Sequence, residues 1–213
     1  MSGHRIDQCV LVSLRSTPHS NPPKSIKIYE YLASPPVAVS SNRESSMARW
    51  LNNIAILIKK HVPNVCEYTT MEGEHCTFSQ RWWTAENTET ILPPSSPYRL
   101  RHKPDMVLTN YVDDKTMLMQ SESTLWSNVL ALCETSAMPY RKNQVMPGSM
   151  EEKSYIMQME QDDHCFTPAI GFTGDTFVLC VFDREGVQSF EIRLNNSNSL
   201  KKILHVLGCL FFG

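Results

Sequence analysis

Pro104-Asp-Met-Val-Leu-Thr-Asn110 and the later stretch Trp126-Ser-Asn-Val-Leu-Ala-Leu-Cys-Glu-Thr-Ser136 decide how this chain folds. Each holds an apolar run too short for a helix. Val129-Leu-Ala-Leu-Cys133 is apolar at both alternating sets of positions, the pattern of a strand covered on two faces. Together they predict two interior strands separated by a polar loop, Tyr111–Thr124. An acidic residue marks one end of each run: Asp105 at the head of the first and Glu134 at the tail of the second.

Working outward toward the N-terminus, Pro93-Pro-Ser-Ser-Pro97 breaks the chain and predicts a surface loop, and Glu74–Trp83 is a candidate strand. Before them, Met47, Trp50, Leu51, Ile54, Leu57 and Ile58 recur at helical spacing and predict one buried helix face. Ser41-Asn-Arg-Glu44 opens that helix as a capping box; Lys59, Lys60 and His61 suit the negative end of its dipole, and Pro63 stops it. Residues 1–43 carry Ser and Pro clusters around two short apolar stretches, Cys9–Leu14 and Ile26–Leu32, either of which could be an edge strand or a docking arm. Too short and Pro-broken to hold a core alone, 1–43 is expected to be an arm attached to a domain spanning 44–213.

In the other direction, Ser149-Met-Glu-Glu152 forms a second capping box and predicts a helix to about Gln161, with Ile156 and Met159 inward. The pattern then becomes β. Pro168–Thr173, the turn Gly174-Asp175, Thr176–Phe182, the turn Asp183–Gly186 and Val187–Leu194 predict an antiparallel meander. A terminal helix capped by Asn198 or Ser199 follows, with Leu200, Ile203, Leu204, Leu207 and Leu210 inward. The expected class is α/β: a mixed β-sheet flanked by helices, ending in the meander and the terminal helix.

Composition excludes several alternatives. The 213 residues are 41% hydrophobic and 20% charged with a net charge of −2, which fits neither a coiled coil nor a disordered polyelectrolyte. The longest apolar stretches, Val129–Cys133, Phe177–Phe182 and Leu204–Phe212, are too short to predict a membrane span. Met1–Val12 lacks the pattern of a secretory or transit peptide, and the seven scattered cysteines, without a Cys-x-x-Cys, read as reduced thiols. The expected compartment is therefore cytoplasmic or nuclear. Phosphate-binding Gly loops, kinase signatures and Gly-x-Ser-x-Gly elbows are not found.

The candidate chemistry centres on Asp105 and Glu134. Two carboxylates with water form a hard oxygen site suited to Mg²⁺, which can polarise a phosphodiester. Ser136, two residues after Glu134, shares its strand face but supplies no positive charge. Lys103, two residues before Asp105, is a substitute cation if the strand begins that early. Arg99, Arg101 and Lys103 alternate as a short basic stripe able to touch phosphates, although a solvated edge explains them equally. Glu44 could be a third metal carboxylate, but the capping box already accounts for it. His75-Cys76 with His164-Cys165 matches no zinc-finger spacing.

The order of Pro104-Asp105 and Glu134-Thr-Ser136 resembles the PD-(D/E)xK restriction-endonuclease-like superfamily, in which an Asp and a Glu hold Mg²⁺ and a Lys two residues after the Glu helps activate water. Four stretches resemble the segment that precedes the kinase lobes of fungal-type protein kinases. They are Arg101–Leu108, Trp126–Ser136, Glu152–Met157 with Gln161, and Phe177–Val187. Leu200–Phe212 resembles the helix ending that segment, so the likeness covers residues 99–212.

That resemblance implies a PD-(D/E)xK core in 44–213 of a fungal intracellular protein, without kinase activity of its own since no kinase motifs follow. His164-Cys165 stands where an arginine pair is expected. With Ser136 in the place of the motif Lys, the expectation is a non-catalytic module that binds a protein partner, such as a fungal-type kinase it pairs or competes with. The alternative is a Mg²⁺-dependent nuclease using Asp105 and Glu134 with a relocated cation, either Lys103 or a residue the motif does not reveal.

Overall fold

The computed structural model describes residues 28, 31–33, 35–36, 43–62, 67–69, 75–77, 81–85, 103–110, 126–136, 146–161, 165–173, 176–194 and 197–212. Helix α1 spans Arg43–His61 and is followed by β1 (Glu67–Thr69), β2 (His75–Thr77), β3 (Arg81–Thr84) and β4 (Met106–Asn110). A 3-10 turn at Trp126–Asn128 leads into β5 (Ala131–Ser136), then α2 (Met146–Glu160), β6 (Phe166–Thr173), β7 (Thr176–Asp183), β8 (Val187–Arg193) and α3 (Ser197–Phe212).

Strands β3 to β8 form one six-stranded sheet in sequence order, while β1 and β2 pair separately. Neighbours in the large sheet are antiparallel except β5 and β6, which run parallel. Parallel strands need a long crossover, and α2 provides it. The fold is mixed α/β with helices on both faces, as expected.

Each face of the sheet has its own core. On one, α1 and α3 cover Trp83, Met106, Leu108, Cys133, Ile170, Phe172 and Phe177 with Leu51, Ile54, Ile203, Leu207 and Phe211. Each of the larger fully buried aliphatic side chains there stabilises by about 2 kcal/mol through its removal from water. Trp50 meets Phe172 edge to face at 5.5 Å, and Phe172 meets Phe177 at 5.2 Å. On the other face, Met150, Ile156 and Met157 of α2 cover Val107, Leu132, Ala169, Val178 and Cys180.

Within the predicted Ile26–Leu32 stretch, Ile28, Tyr31 and Leu32 are helical, and Ile28 and Leu32 are buried against the first core, so these residues dock and do not form an edge strand. Cys9–Leu14, Ser41, Arg99, Arg101 and His164 lie outside the described residues.

Several boundaries differ from those expected. Glu74–Trp83 contains two strands, β2 and β3, in different sheets. The strand predicted around Val129–Cys133 is displaced toward its C-terminus, because Gln161 Nε2 donates to the carbonyls of Trp126 and Val129 and holds that segment as a turn. Helix α2 begins at Met146, so Ser149 is not its cap. Pro147 is compatible with this earlier start because first-turn amides have no helical acceptor to lose. Met159 is exposed and Met157 takes the buried position. The terminal helix likewise starts at Ser197, before Asn198 and Ser199.

The turn between β7 and β8 follows expectation. Gly186 has φ 152°, and Asp183 Oδ1 accepts from the Glu185 and Gly186 amides at 2.8 and 2.9 Å.

Candidate functional site

Sheet register brings the two predicted carboxylates together. Met106 of β4 pairs with Cys133 of β5 in an antiparallel ladder, so the next position outward sets Asp105 opposite Glu134. Side chains alternate along a strand, and Val107 and Leu132 face α2. Asp105 and Glu134 therefore face α2 as well. On the far side of Glu134, the parallel partner is Gly171 of β6, which has no side chain to occupy the adjoining space.

Asp105 is held by the residue following Glu134. Its Oδ2 accepts the Thr135 amide at 2.7 Å and the Thr135 hydroxyl at 3.0 Å. Among the described residues, neither bond uses Oδ1, which keeps its acceptor capacity for another ligand.

The cation comes from α2. Lys153 is 2% exposed and its Nζ lies 2.5 Å from Glu134 Oε1. Met150, Lys153, Ser154, Met157 and Gln161 form the buried stripe of this helix, so an ammonium occupies an otherwise apolar and neutral face. Burial raises the Glu134 carboxyl to about 7 despite the opposing attraction of Lys153; the charge of Asp105 pushes it the same way as burial. A hydrogen bond from the Asp105 backbone acts in the ionised form's favour.

The strand does not begin early enough to include Lys103. The strand begins at Met106, and Lys103 is an exposed residue before it. Ser136 is the half-buried last residue of β5. Glu44 lies in the first turn of α1, in keeping with its expected place near the helix start. Cys165 is exposed, and among the described residues no group of three or more His, Cys, Asp or Glu gathers as a metal cluster.

Lys153 and Thr135 are the residues that motif spacing did not single out. A signal for Lys153 was present, since it stands with Met150, Ser154 and Met157 at the spacing of a buried helix stripe. Among the described residues, no helix is long and apolar enough to cross a membrane. No protein-family profile, curated protein or solved structure matches the chain.

Proposed function

We propose that this domain is a PD-(D/E)xK-like, Mg²⁺-dependent nuclease module whose cation is supplied by Lys153 in place of the strand lysine. One observation carries the reading: buried Lys153 meets Glu134, and Glu134 stands beside Asp105 in register. The order of α1, three consecutive antiparallel strands, α2 and a parallel strand supports the superfamily resemblance.

The donor set fits a hard divalent ion. Asp105 and Glu134 offer adjacent carboxylate oxygens, and burial together with mutual repulsion makes the second of these hard to ionise without a compensating cation. Asp105 and Glu134 would hold Mg²⁺, which when bound supplies Lewis-acid polarisation of a phosphodiester oxygen and activation of water. Thr135 fixes the Asp105 rotamer through two donors to the same oxygen. Among the described residues, the Lys153 ammonium gives one of its three donors to Glu134, and the reading assigns the other two to water or a non-bridging phosphate oxygen. Its charge favours the negative charge that accumulates during phosphodiester attack, the contribution Ser136 cannot make.

The near-complete burial of Glu134, 9% exposed, favours a second reading, in which the site is closed and the module binds a protein partner such as a fungal-type kinase without cutting nucleic acid. Cleavage assays on plasmid and single-stranded substrates separate the two, combined with Mg²⁺ and Mn²⁺ calorimetry. Metal-dependent cutting lost in Asp105→Ala and reduced at least about a hundredfold in Lys153→Met is expected from the nuclease reading. Silence of the wild-type chain in both assays refutes it.

A further inference from the structure

We propose that two copies of this chain associate edge to edge through β8, pairing antiparallel about a two-fold axis at Ile192. The inference begins with the unequal treatment of the two sheet edges. At β3, Asn52 donates to the Trp83 carbonyl at 2.8 Å and accepts the Trp83 amide at 2.9 Å, so α1 occupies outward-facing backbone groups. Arg81 Nη1 further ties that strand to the Leu210 carbonyl of α3 at 3.0 Å. Such covering prevents an edge from pairing with another chain.

β8 has no comparable cover among the described residues. It is seven residues long, contains neither Pro nor Lys, and is exposed from Val187 through Glu191. Phe190 is 53% exposed and Val187 44%. Asp183 N–H donates to the Gly186 carbonyl at 3.0 Å, which fixes the phase of the β7–β8 ladder. With Phe182 opposite Val187, hydrogen-bonded pairs then alternate so that Gln188, Phe190 and Ile192 bond toward β7. The amides and carbonyls of Val187, Ser189, Glu191 and Arg193 point outward.

A second copy centred there satisfies the outward groups of Glu191 and Arg193, with matching charge. A two-fold axis normal to the sheet keeps each face on its own side, and centring it at Ile192 sets Glu191 opposite Arg193 of the second copy. Symmetry repeats the pair, giving two cross-strand ion pairs on the α2 side. Both residues belong to the outward-pointing set, so the same positions exchange the backbone bonds. On the opposite side, half-buried Ile192 lies opposite its own copy, and exposed Phe190 lies opposite the edge of Leu194, which is itself largely buried in its own core. One face is thus apolar and the other charge-matched, a self-complementarity expected of an isologous interface.

Sedimentation velocity of the full chain from micromolar to sub-millimolar concentration tests this. The expected result is a species of twice the 24.3 kDa chain mass that dissociates on dilution. Glu191→Arg sets Arg against Arg, and Arg193→Glu sets Glu against Glu. Each is expected to weaken association roughly tenfold or more, because both symmetric pairs turn repulsive. The double variant Glu191→Arg/Arg193→Glu reverses the pairs and restores the dimer. Circular dichroism establishes that every variant is folded. A monomer at all concentrations overturns the proposal, as does a dimer indifferent to the single charge reversals.

Discussion

Replacing Lys153 with methionine gives the ion pair a pH-dependent signature. In the wild-type protein, burial raises Glu134 from the ordinary 4.5 to about 7. Between those values the folded state retains a proton that the unfolded chain has released. Stability contributed by this group is therefore fully present below pH 4.5 and falls as pH rises, levelling once pH passes about 7. The decline amounts to about 3 kcal/mol. A neutral thioether in place of the ammonium cannot oppose the desolvation of Glu134, so the carboxyl rises further and the decline continues above pH 7 at about 1.4 kcal/mol per pH unit. The gap between wild type and Lys153→Met is small at pH 5 and grows to about 3 kcal/mol by pH 9, near the cost of orphaning one member of a buried ion pair.

Urea unfolding at pH 5, 7 and 9 measures that gap, using the fluorescence of buried Trp50, Trp83 and Trp126. Comparing the proteins at each pH cancels the titration of groups common to both. The double variant Glu134→Gln/Lys153→Met removes the titrating carboxyl and with it the growth of the gap. Parallel stability curves for wild type and Lys153→Met from pH 5 to 9 would refute the coupling between these residues.

Two further substitutions test the core on the other face of the sheet. Asn52→Ala leaves the amide and carbonyl of buried Trp83 without their partners and is expected to cost about 3 kcal/mol, read as a lower urea midpoint with an unchanged slope. Leu32→Ala removes a fully buried side chain where the N-terminal stretch meets the α1 and α3 core, with an expected loss of about 2–5 kcal/mol in chemical unfolding. Unchanged stability would mean that this stretch does not contribute to the domain.

The fold was legible where one physical rule acted alone. Met47, Trp50, Leu51, Ile54 and Ile58 occupy one helix face, and all are buried. The β6–β8 meander was visible because its turns carry Asp and Gly and its strands are rich in apolar residues. Boundaries failed where distant groups intervened. Nothing local to Trp126–Val129 indicates that Gln161 takes two of its carbonyls. Similarly, Ser149-Met-Glu-Glu152 satisfies the capping pattern, yet the helix extends past it to Met146. Asp105 and Glu134 were singled out because their order along the chain resembles the PD-(D/E)xK pattern, and the Met106–Cys133 register sets them opposite one another. Lys153 was missed because a cation was sought on the strands bearing Asp105 and Glu134, whereas this one arrives from α2.

On the proposed nuclease reading, a cation arriving from α2 changes what Ser136 means for function. Nearby positive charge acts through its distance from the reacting atoms and the surrounding dielectric, without regard to the sequence interval by which it arrives. A lysine on β5 would place its charge through strand geometry; Lys153 does so from a packed helix, with 2% exposure limiting its alternative rotamers. The cost is desolvation of an ammonium that could have remained in water, and a retained buried charge beside a perturbed carboxyl such as Glu134 is a recurrent property of chemical sites. Structural ion pairs share that property, so stability alone does not separate scaffold from catalyst. The separation lies in the double variant Glu134→Gln/Lys153→Met: it can recover folding without recovering the metal-dependent cleavage that both side chains are proposed to serve.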